Sequence, residues 1–507
     1  MTDTGLFDAF LSTPEATAAF GAAALVQHML DFEAALAHAQ AAEGVIPAAA
    51  AARIGAACRA ETIDLAALAA AGSVAGTLAI PLVKQLVARV AAADARAEDP
   101  AGGQVSAQAG RQASAQAGGQ VSARAGAPAE PRAAGWVHWG STSQDVIDTA
   151  MVLATCRVLA PIDADLGRLI RALLRLANTH ADAPVLARTL LQPAQVISVG
   201  FKLVAWVAPL LRCRERLRRA ARAACLLQFG GAVGTRSVLG DRGPAVAARM
   251  ATALNLGLAP GAWHTQRDEW VRLGCELGVL CGALGKVAKD VSLLAQAESG
   301  AMAEPGGDGR GGSSAMPHKR NPVASMTALA ASMRAPHRVA ALLAAMPQEH
   351  ERGLGNWQAE LAEWPGLVMS AHGAVAALAG AAEGLTVDTA RMRRNIAALH
   401  GLVFAEGASM RVARHIGKPR AHALLERLSR QVVAEQRPLA EVLEAAVAAD
   451  PELRDCVPRA ELHAVFDAEA AARHSSAAAF AQWAALREQA AALDADPPFP
   501  TPDRPPT

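Results

Sequence analysis

Apolar residues recur along most of this chain in steps of three and four, with Ala, Leu, Arg and Glu dominating the composition around them. That rhythm places one apolar stripe on a helix, and β-branched alternation is almost absent, so the pattern predicts helices rather than strands. The clearest stretch is 271–297, where Leu273, Leu277, Leu280, Leu284, Val287, Val291 and Leu294 follow one another at steps of four and three. A repeat of about 3.5 residues lays a single seam against a neighbouring helix, as in a bundle with coiled-coil-like contacts. Residues 198–228 predict a second long helix, kinked at Pro209, because proline removes a backbone donor and crowds the preceding turn. One or two helices are expected from 144–180, interrupted near Pro161, and 322–346 and 357–382 continue the helical pattern.

These segments group into an all-α architecture of three helical domains: an N-terminal one at 1–92, a central elongated long-helix bundle at 135–370, and a smaller C-terminal one at 371–490. Two stretches stand apart. Residues 93–134 are rich in Ala, Gly, Gln and Ser and contain the near-repeat GGQVSAQAG and GGQVSARAG. Such a composition buries too little apolar surface to offset its ordering entropy, so a disordered low-complexity insertion is expected there. Residues 491–507, ending PPFPTPDRPPT, predict an extended Pro-rich tail.

Composition narrows the function classes. A chain of 507 residues has room for several domains and a large core, and its 52% hydrophobic content favours a buried globular protein over a disordered one. The formal net charge of +1 creates no field that would draw in nucleic acid or an anionic membrane. An anionic ligand must therefore be held by local charges. The seven cysteines are scattered, without a CxxC pair or metal-ligand spacing to His, which predicts reduced structural thiols in a cytoplasmic protein. Residues 1–13 lack the basic start and apolar core of a secretory signal. Apolar stretches elsewhere meet His, Asp, Glu or Arg before the ~20 residues that a membrane span needs; 23–43, for example, contains His28, Asp31 and Glu33. No binding motif for a metal or an organic cofactor is visible. The chain has no Tyr, which removes one common general acid.

The most informative segment is Gly311-Gly312-Ser313-Ser314-Ala315-Met316-Pro317-His318-Lys319-Arg320-Asn321-Pro322. Glycines confer mobility, the serines offer hydroxyls, Lys319 and Arg320 offer cations, and Asn321 offers an amide that both donates and accepts. Together they describe a mobile lid able to close over an anion. On composition alone a surface loop with solvated charges fits better; the order of residues changes that. GSSAMPHKRNP resembles the GSSxMPxKxNP segment of the fumarase/aspartase superfamily, which includes fumarases, aspartases, argininosuccinate and adenylosuccinate lyases, and cycloisomerases. The resemblance implies that Ser313 is the catalytic base and that Lys319 and Asn321 bind a substrate carboxylate, with Ser314 and Met316 in the same substrate-binding segment. A serine acts as base only where N–H dipoles and cations stabilise its alkoxide, and the glycine-rich backbone and Lys319 are plausible suppliers.

Other segments extend the resemblance over roughly residues 1–475, apart from the insertion. His138-Trp139-Gly140-Ser141-Thr142-Ser143-Gln144-Asp145 is similar to the superfamily's HxGxTSxD region. That similarity implies that Thr142, Ser143 and Gln144 donate to substrate carboxylates near a helix N-terminus, where anions are favoured. On their own, the same residues read equally as a helix cap. Arg188-Thr189-Leu190-Leu191-Gln192-Pro193-Ala194 resembles an RTxxQxA segment and implies Arg188 and Gln192 as substrate-binding. Many members carry a general-acid His directly after that threonine, and some cycloisomerases carry one after the glutamine; here Leu190 and Pro193 stand there. A missing acid fits the opening of a lactone, which expels a carboxylate of low pKa, better than expulsion of an amine or hydroxyl. Gln228–Thr235 resembles the superfamily's glycine-rich turn. Trp263-His264-Thr265-Gln266-Arg267-Asp268 and Pro347-Gln348-Glu349-His350-Glu351-Arg352 resemble WHTQRD and PQEHER segments of the cycloisomerase branch. Arg267 is then a candidate bidentate clamp for a carboxylate, the alternative being a salt bridge to Asp268 or Glu269.

The branch implies a reaction. One carboxylate of the tricarboxylate 3-carboxy-cis,cis-muconate adds across a double bond, and protonation of the adjacent carbon gives 4-carboxymuconolactone, in the protocatechuate branch of the β-ketoadipate pathway. Ser313 as the neutral hydroxyl would give that proton, with His138 a second acid/base candidate for which a binding or purely structural role stays equally open. The resemblance also implies a homotetramer whose active sites combine residues of three subunits, a small-molecule substrate, and no nucleic-acid or membrane partner. Two alternatives stay open at this point: an adenylosuccinate lyase-like β-elimination enzyme releasing fumarate, and a non-catalytic structural homologue.

Overall fold

The heptad stretch forms the helix Asp268–Ala295, and all seven seam residues named above are buried, Leu273, Leu277, Leu280 and Leu284 completely. The computed structural model describes residues 6–98, 132–307, 309–312, 315–316 and 318–496. Ser313, Ser314, most of the expected insertion and residues 497–507 of the expected tail lie outside the described residues.

Five long helices build the bundle: Ser143–Thr179, Val199–Ala224, Asp268–Ala295, Val323–Ala345 and Asn356–Ala382. Ser143–Thr179 runs 37 residues, about 55 Å at ~1.5 Å per residue. It is one continuous helix through Pro161 rather than two. Leu159, Ile162 and Leu166 are fully buried on both sides of the proline, and their burial outweighs the roughly 3 kcal/mol that an interior proline costs. Pro209 likewise sits inside Val199–Ala224. Asn356–Ala382 is, among the described residues, the one helix long and apolar enough to cross a membrane, and 72% of that stretch is buried inside the molecule.

The architecture is all-α, with a few short strands. The longest pair, Pro184–Thr189 and Gln192–Ser198, forms an antiparallel hairpin between the first two bundle helices. Leu190 and Leu191 make its two-residue turn with φ of +51° and +67°. Left-handed backbone at both turn positions matches the twist of a hairpin, although Asn-Gly is the usual sequence for it.

The expected domain limits fall inside helices. The limit at 92 lies within Ala79–Glu98, that at 370 within Asn356–Ala382, and that at 490 within Ala468–Ala495. A helix continues while its apolar stripe has a surface to bury against, so composition shifts do not mark its ends. Residues 405–465 carry a separate apolar cluster that includes Val412, Leu425, Leu428, Leu439 and Leu443. The helix Ala468–Ala495 instead returns to Val199–Ala224 and to Ser143–Thr179, where Trp483 Nε1 donates to the Leu174 carbonyl at 3.1 Å.

Buried charges pin this last helix. Asp163 accepts two bidentate guanidinium groups, from Arg214 at 3.0 and 2.9 Å and from Arg218 at 2.7 and 2.7 Å. Arg214 Nη1 continues to Asp494 at 2.7 Å on the returning helix. Burial alone would raise the Asp163 pKa, but the hydrogen bonds and charges of the two arginines hold it below the ordinary carboxylate value. A depressed pKa contributes stability above the unfolded carboxylate pKa of ~3.9, and that stability is lost as pH falls through the folded value. Asp163→Asn should therefore cost about 3–5 kcal/mol in urea unfolding at pH 7. The gap to wild type should narrow below about pH 4; a pH-independent gap would contradict this reading.

Candidate active site

Thr142 caps the long helix Ser143–Thr179, and a buried carboxylate fixes it there. Asp145 is fully buried and accepts from the Thr142 N–H at 3.1 Å, the Gly230 N–H at 3.0 Å and the Gly231 N–H at 2.9 Å, and pairs with His264 Nε2 at 2.7 Å. One side chain thus ties together the 138–145 turn, the glycine turn and the 263–268 segment. Gly231 has φ +70°, and a Cβ there would lie 2.9 Å from the Gly140 carbonyl oxygen, so only glycine lets the two turns meet.

A third segment closes over this helix end. The loop 347–355 is held by Asn356 Nδ2 donating to the Pro347 carbonyl at 3.0 Å and by the Leu354 N–H donating to Glu349 at 3.0 Å. It delivers the Arg352 guanidinium onto Thr142 Oγ1 at 2.7 Å, Ser143 Oγ at 3.0 Å and Gln144 Oε1 at 3.3 Å. Guanidinium only donates, so both hydroxyls accept from it and keep their own protons for another acceptor. A cation beside two half-buried hydroxyl donors at a helix N-terminus suits a carboxylate. The family resemblance used Arg352 only to mark a branch. Nothing in a linear sequence says which of the cations downstream folds back onto residue 142.

His138 belongs to the same turn, with φ +61°. Its Nδ1 lies 2.6 Å from Glu33 Oε1. Burial alone would lower its pKa, but the charge and hydrogen bond of Glu33, helped by Asp145, raise it above the ordinary histidine value.

Two expected binding residues have their hydrogen bonds inside the chain. Arg267 is fully buried and makes no salt bridge to Asp268 or Glu269. It lies between Asp148, at 2.9 and 3.4 Å, and Glu360, at 3.1 Å through Nε and also through Nη2, with its guanidinium 4.6 Å from the Trp263 ring. Burial would lower its pKa, yet the two carboxylates raise it. Glu360 is raised in turn by its own burial, which Arg267 only partly offsets. Gln144 is also buried; its amide donates to Asp148 at 3.2 Å and to the His264 carbonyl at 2.9 Å, while its oxygen takes Arg352. Both N–H bonds of Gln144 are thus used within the chain, and its oxygen is held by Arg352.

The remaining expected residues lie elsewhere. Asp268–Ala295 starts beside Asp148 and runs 28 residues, about 42 Å, before the glycine-serine loop begins. That loop is anchored by Asn321 N–H donating to the Gly311 carbonyl at 2.8 Å and by Glu304 capping Val323–Ala345 through the Ala324 and Ser325 N–H groups, each at 2.9 Å. Met316 and Lys319 are exposed and Asn321 is half-buried there, tens of Å from Thr142. Arg188 and Gln192 are exposed on the hairpin that follows the other end of Ser143–Thr179. One chain therefore brings together His138, Thr142, Ser143, Gln144 and Arg352, and leaves the other two groups apart.

A long-helix bundle with a carboxylate cradle at one end and a glycine-serine loop at the other defines a lyase of the fumarase/aspartase superfamily. Residues 10–336 match the lyase family and residues 401–479 match the adenylosuccinate lyase C-terminus. The chain is 46% identical over 435 residues to a 3-carboxy-cis,cis-muconate cycloisomerase of Bradyrhizobium diazoefficiens, covering 86% of this chain and 88% of that one. It is also 46% identical over 447 residues to one of Pseudomonas aeruginosa, with 88% and 90% covered. The crystal structure of the 3-carboxy-cis,cis-muconate lactonizing enzyme of Pseudomonas putida superposes with a TM-score of 0.81 at 38% identity, covering 97% of this chain and all of that one. The chain belongs to the 3-carboxy-cis,cis-muconate cycloisomerase family, whose members are intramolecular lyases.

The buried pairing of Arg267 is testable. Arg267→Met leaves two carboxylates buried without their cation and should lower unfolding stability by about 3–5 kcal/mol. A variant of wild-type stability with a raised KM would instead restore Arg267 to substrate binding.

Proposed function

We propose that this chain interconverts 3-carboxy-cis,cis-muconate and 4-carboxymuconolactone, and that the Arg352–Thr142–Ser143 cradle holds one substrate carboxylate. The observation that carries the reading is the three-point seating of Arg352 on residues 142–144, which builds a carboxylate site where the family resemblance expects one. The reaction balances without a redox partner. A carboxylate oxygen forms a bond to one diene carbon, the electron pair moves toward a neighbouring carboxylate as an enolate, the Ser313 hydroxyl gives its proton to the adjacent carbon, and the serine alkoxide regains a proton from solvent. Lys319 and Asn321 stabilise the enolate, and Lys319 also eases formation of the serine alkoxide.

We infer that the glycine-serine loop of one copy serves the Thr142 cradle of another, with Arg188 and Gln192 from a third; the tens of Å between Lys319 and Thr142 within one chain support this reading. We infer a homotetramer on that ground. Its apolar contact surface is supported by Met326 and Met333, seven residues apart on one face of Val323–Ala345 and 57% and 64% exposed. We further infer a cytoplasmic setting, which the seven free cysteines fit.

The first test follows the ultraviolet absorbance of 3-carboxy-cis,cis-muconate. Wild type should remove the diene signal and Ser313→Ala should abolish that removal. An inert wild type would refute the substrate, and fumarate release from adenylosuccinate would then be assayed. Arg352→Ala should raise KM roughly 10- to 100-fold, as expected for losing hydrogen bonds to a charged group. Met333→Glu should shift the sedimenting species below a tetramer and lower activity in parallel, because the sites are shared. A fully active monomer would refute the shared site.

A further inference from the structure

The helix Ala22–Ala42 lies outside every motif that carried the family resemblance, yet it holds the His138 turn at two points. Glu33 Oε1 meets His138 Nδ1 at 2.6 Å, and Gln40 Nε2 donates to the Trp139 carbonyl at 2.7 Å. The two side chains are seven residues apart, so they share one face of the helix and grip the turn about 10 Å apart along it. Glu33 is 1% exposed and Gln40 fully buried. Glu33 Oε2 is itself buried without a hydrogen-bond partner. An unsatisfied carboxylate oxygen is costly, which is unexpected in a residue kept for stability alone. His138 also holds a left-handed backbone, a strained state that persists only where surrounding structure enforces it.

We propose that Glu33 is a positioning residue for His138, fixing the ring with its proton on Nδ1 so that Nε2 is left for a substrate group bound at the same turn. An ionised carboxylate only accepts, so the shared hydrogen must sit on Nδ1. Nε2 has no hydrogen bond to any described residue, and the His138 side chain remains 20% exposed. The other charge facing the ring is Asp145, across the turn, whose oxygens are already taken by the glycine N–H groups and His264. Glu33 thus supplies the missing second contact, and it favours the imidazolium, which donates from Nε2 to a carboxylate. This assignment rests on the proposed cycloisomerase reading for its substrate, but the Glu33–His138 pair can be read without any substrate.

The experiment compares full-length wild type, Glu33→Gln, His138→Gln and the double variant on 3-carboxy-cis,cis-muconate across pH. Glu33→Gln should lower kcat about 10- to 100-fold with little change in KM, within the range of positioned acid–base groups. The alkaline limb of its pH profile should move to lower pH, because the imidazolium loses the charge that sustains it. In the His138→Gln background the same change should cost nothing further. An unmoved pH profile, or an equal loss in both backgrounds, would overturn the assignment. Histidine labelled with 13C at Cε1 gives the second readout, and an unshifted His138 titration in Glu33→Gln also overturns it. If wild type turns over no carboxymuconate, the functional reading fails, while a downward shift of that titration still supports the pair. Should Glu33→Gln fold poorly, Glu33→Asp keeps the charge but withdraws it by one methylene; undiminished kcat there would overturn the proposal.

Discussion

A buried carboxylate is costly unless its lone pairs are taken, and the arrangement of this molecule's cradle follows from how Asp145 meets that demand. Its donors come from three places in the sequence: the helix cap at Thr142, the glycine turn at Gly230 and Gly231, and His264. Because each donor is itself buried or backbone, moving any one of them strands another polar group. The start of the 55 Å helix is therefore fixed relative to two distant turns. That rigidity makes the hydroxyls of Thr142 and Ser143 a prepared site rather than a frayed helix end.

Asp148, one helical turn further on, repeats the logic with charge. It takes Gln144, Gln228, Arg267 and Trp357 Nε1, so a single layer ties Ser143–Thr179 to Asp268–Ala295 and Asn356–Ala382. Two carboxylates share one guanidinium there, and burial, which Arg267 only partly offsets, raises the Glu360 pKa. This layer is also why Arg267 faces inward: the strongest available partners for it are buried.

How much of this was legible in the sequence depends on the range of each interaction. The seam Leu273–Leu294 was, because a helical stripe is written in local spacing and its burial needs only some neighbour. Thr142 as a cap was legible for the same reason. The fate of Arg267 was not: local spacing offered Asp268 and Glu269, while the real partners are 119 and 93 residues away. Arg352 was missed in the same way, since it acts 210 residues from Thr142. The hairpin at 184–198 was hidden because Leu190-Leu191 carries no turn chemistry; pairing across the hairpin, not turn preference, sets its left-handed backbone. Family resemblance supplied Ser313 where physics alone favoured a solvated loop, and it lies outside the described residues.

The absence of histidine at Leu190 and Pro193 bears on the chemistry as well as on classification. A leaving amine or alkoxide needs a proton, whereas a carboxylate leaves as a stable anion and needs only electrostatic support. The turn at Thr142 gathers groups suited to that kind of support: a permanent guanidinium, two hydroxyls and a helix N-terminus. An imidazole held by a buried carboxylate beside it belongs to the same design, because Glu33 raises the His138 pKa and so favours its cation. The site thus gathers positive charge and hydrogen-bond donors where an anion is made or broken. A lyase that expels a strong base would invert those demands, and a hairpin tip of two exposed leucines offers nothing to meet them.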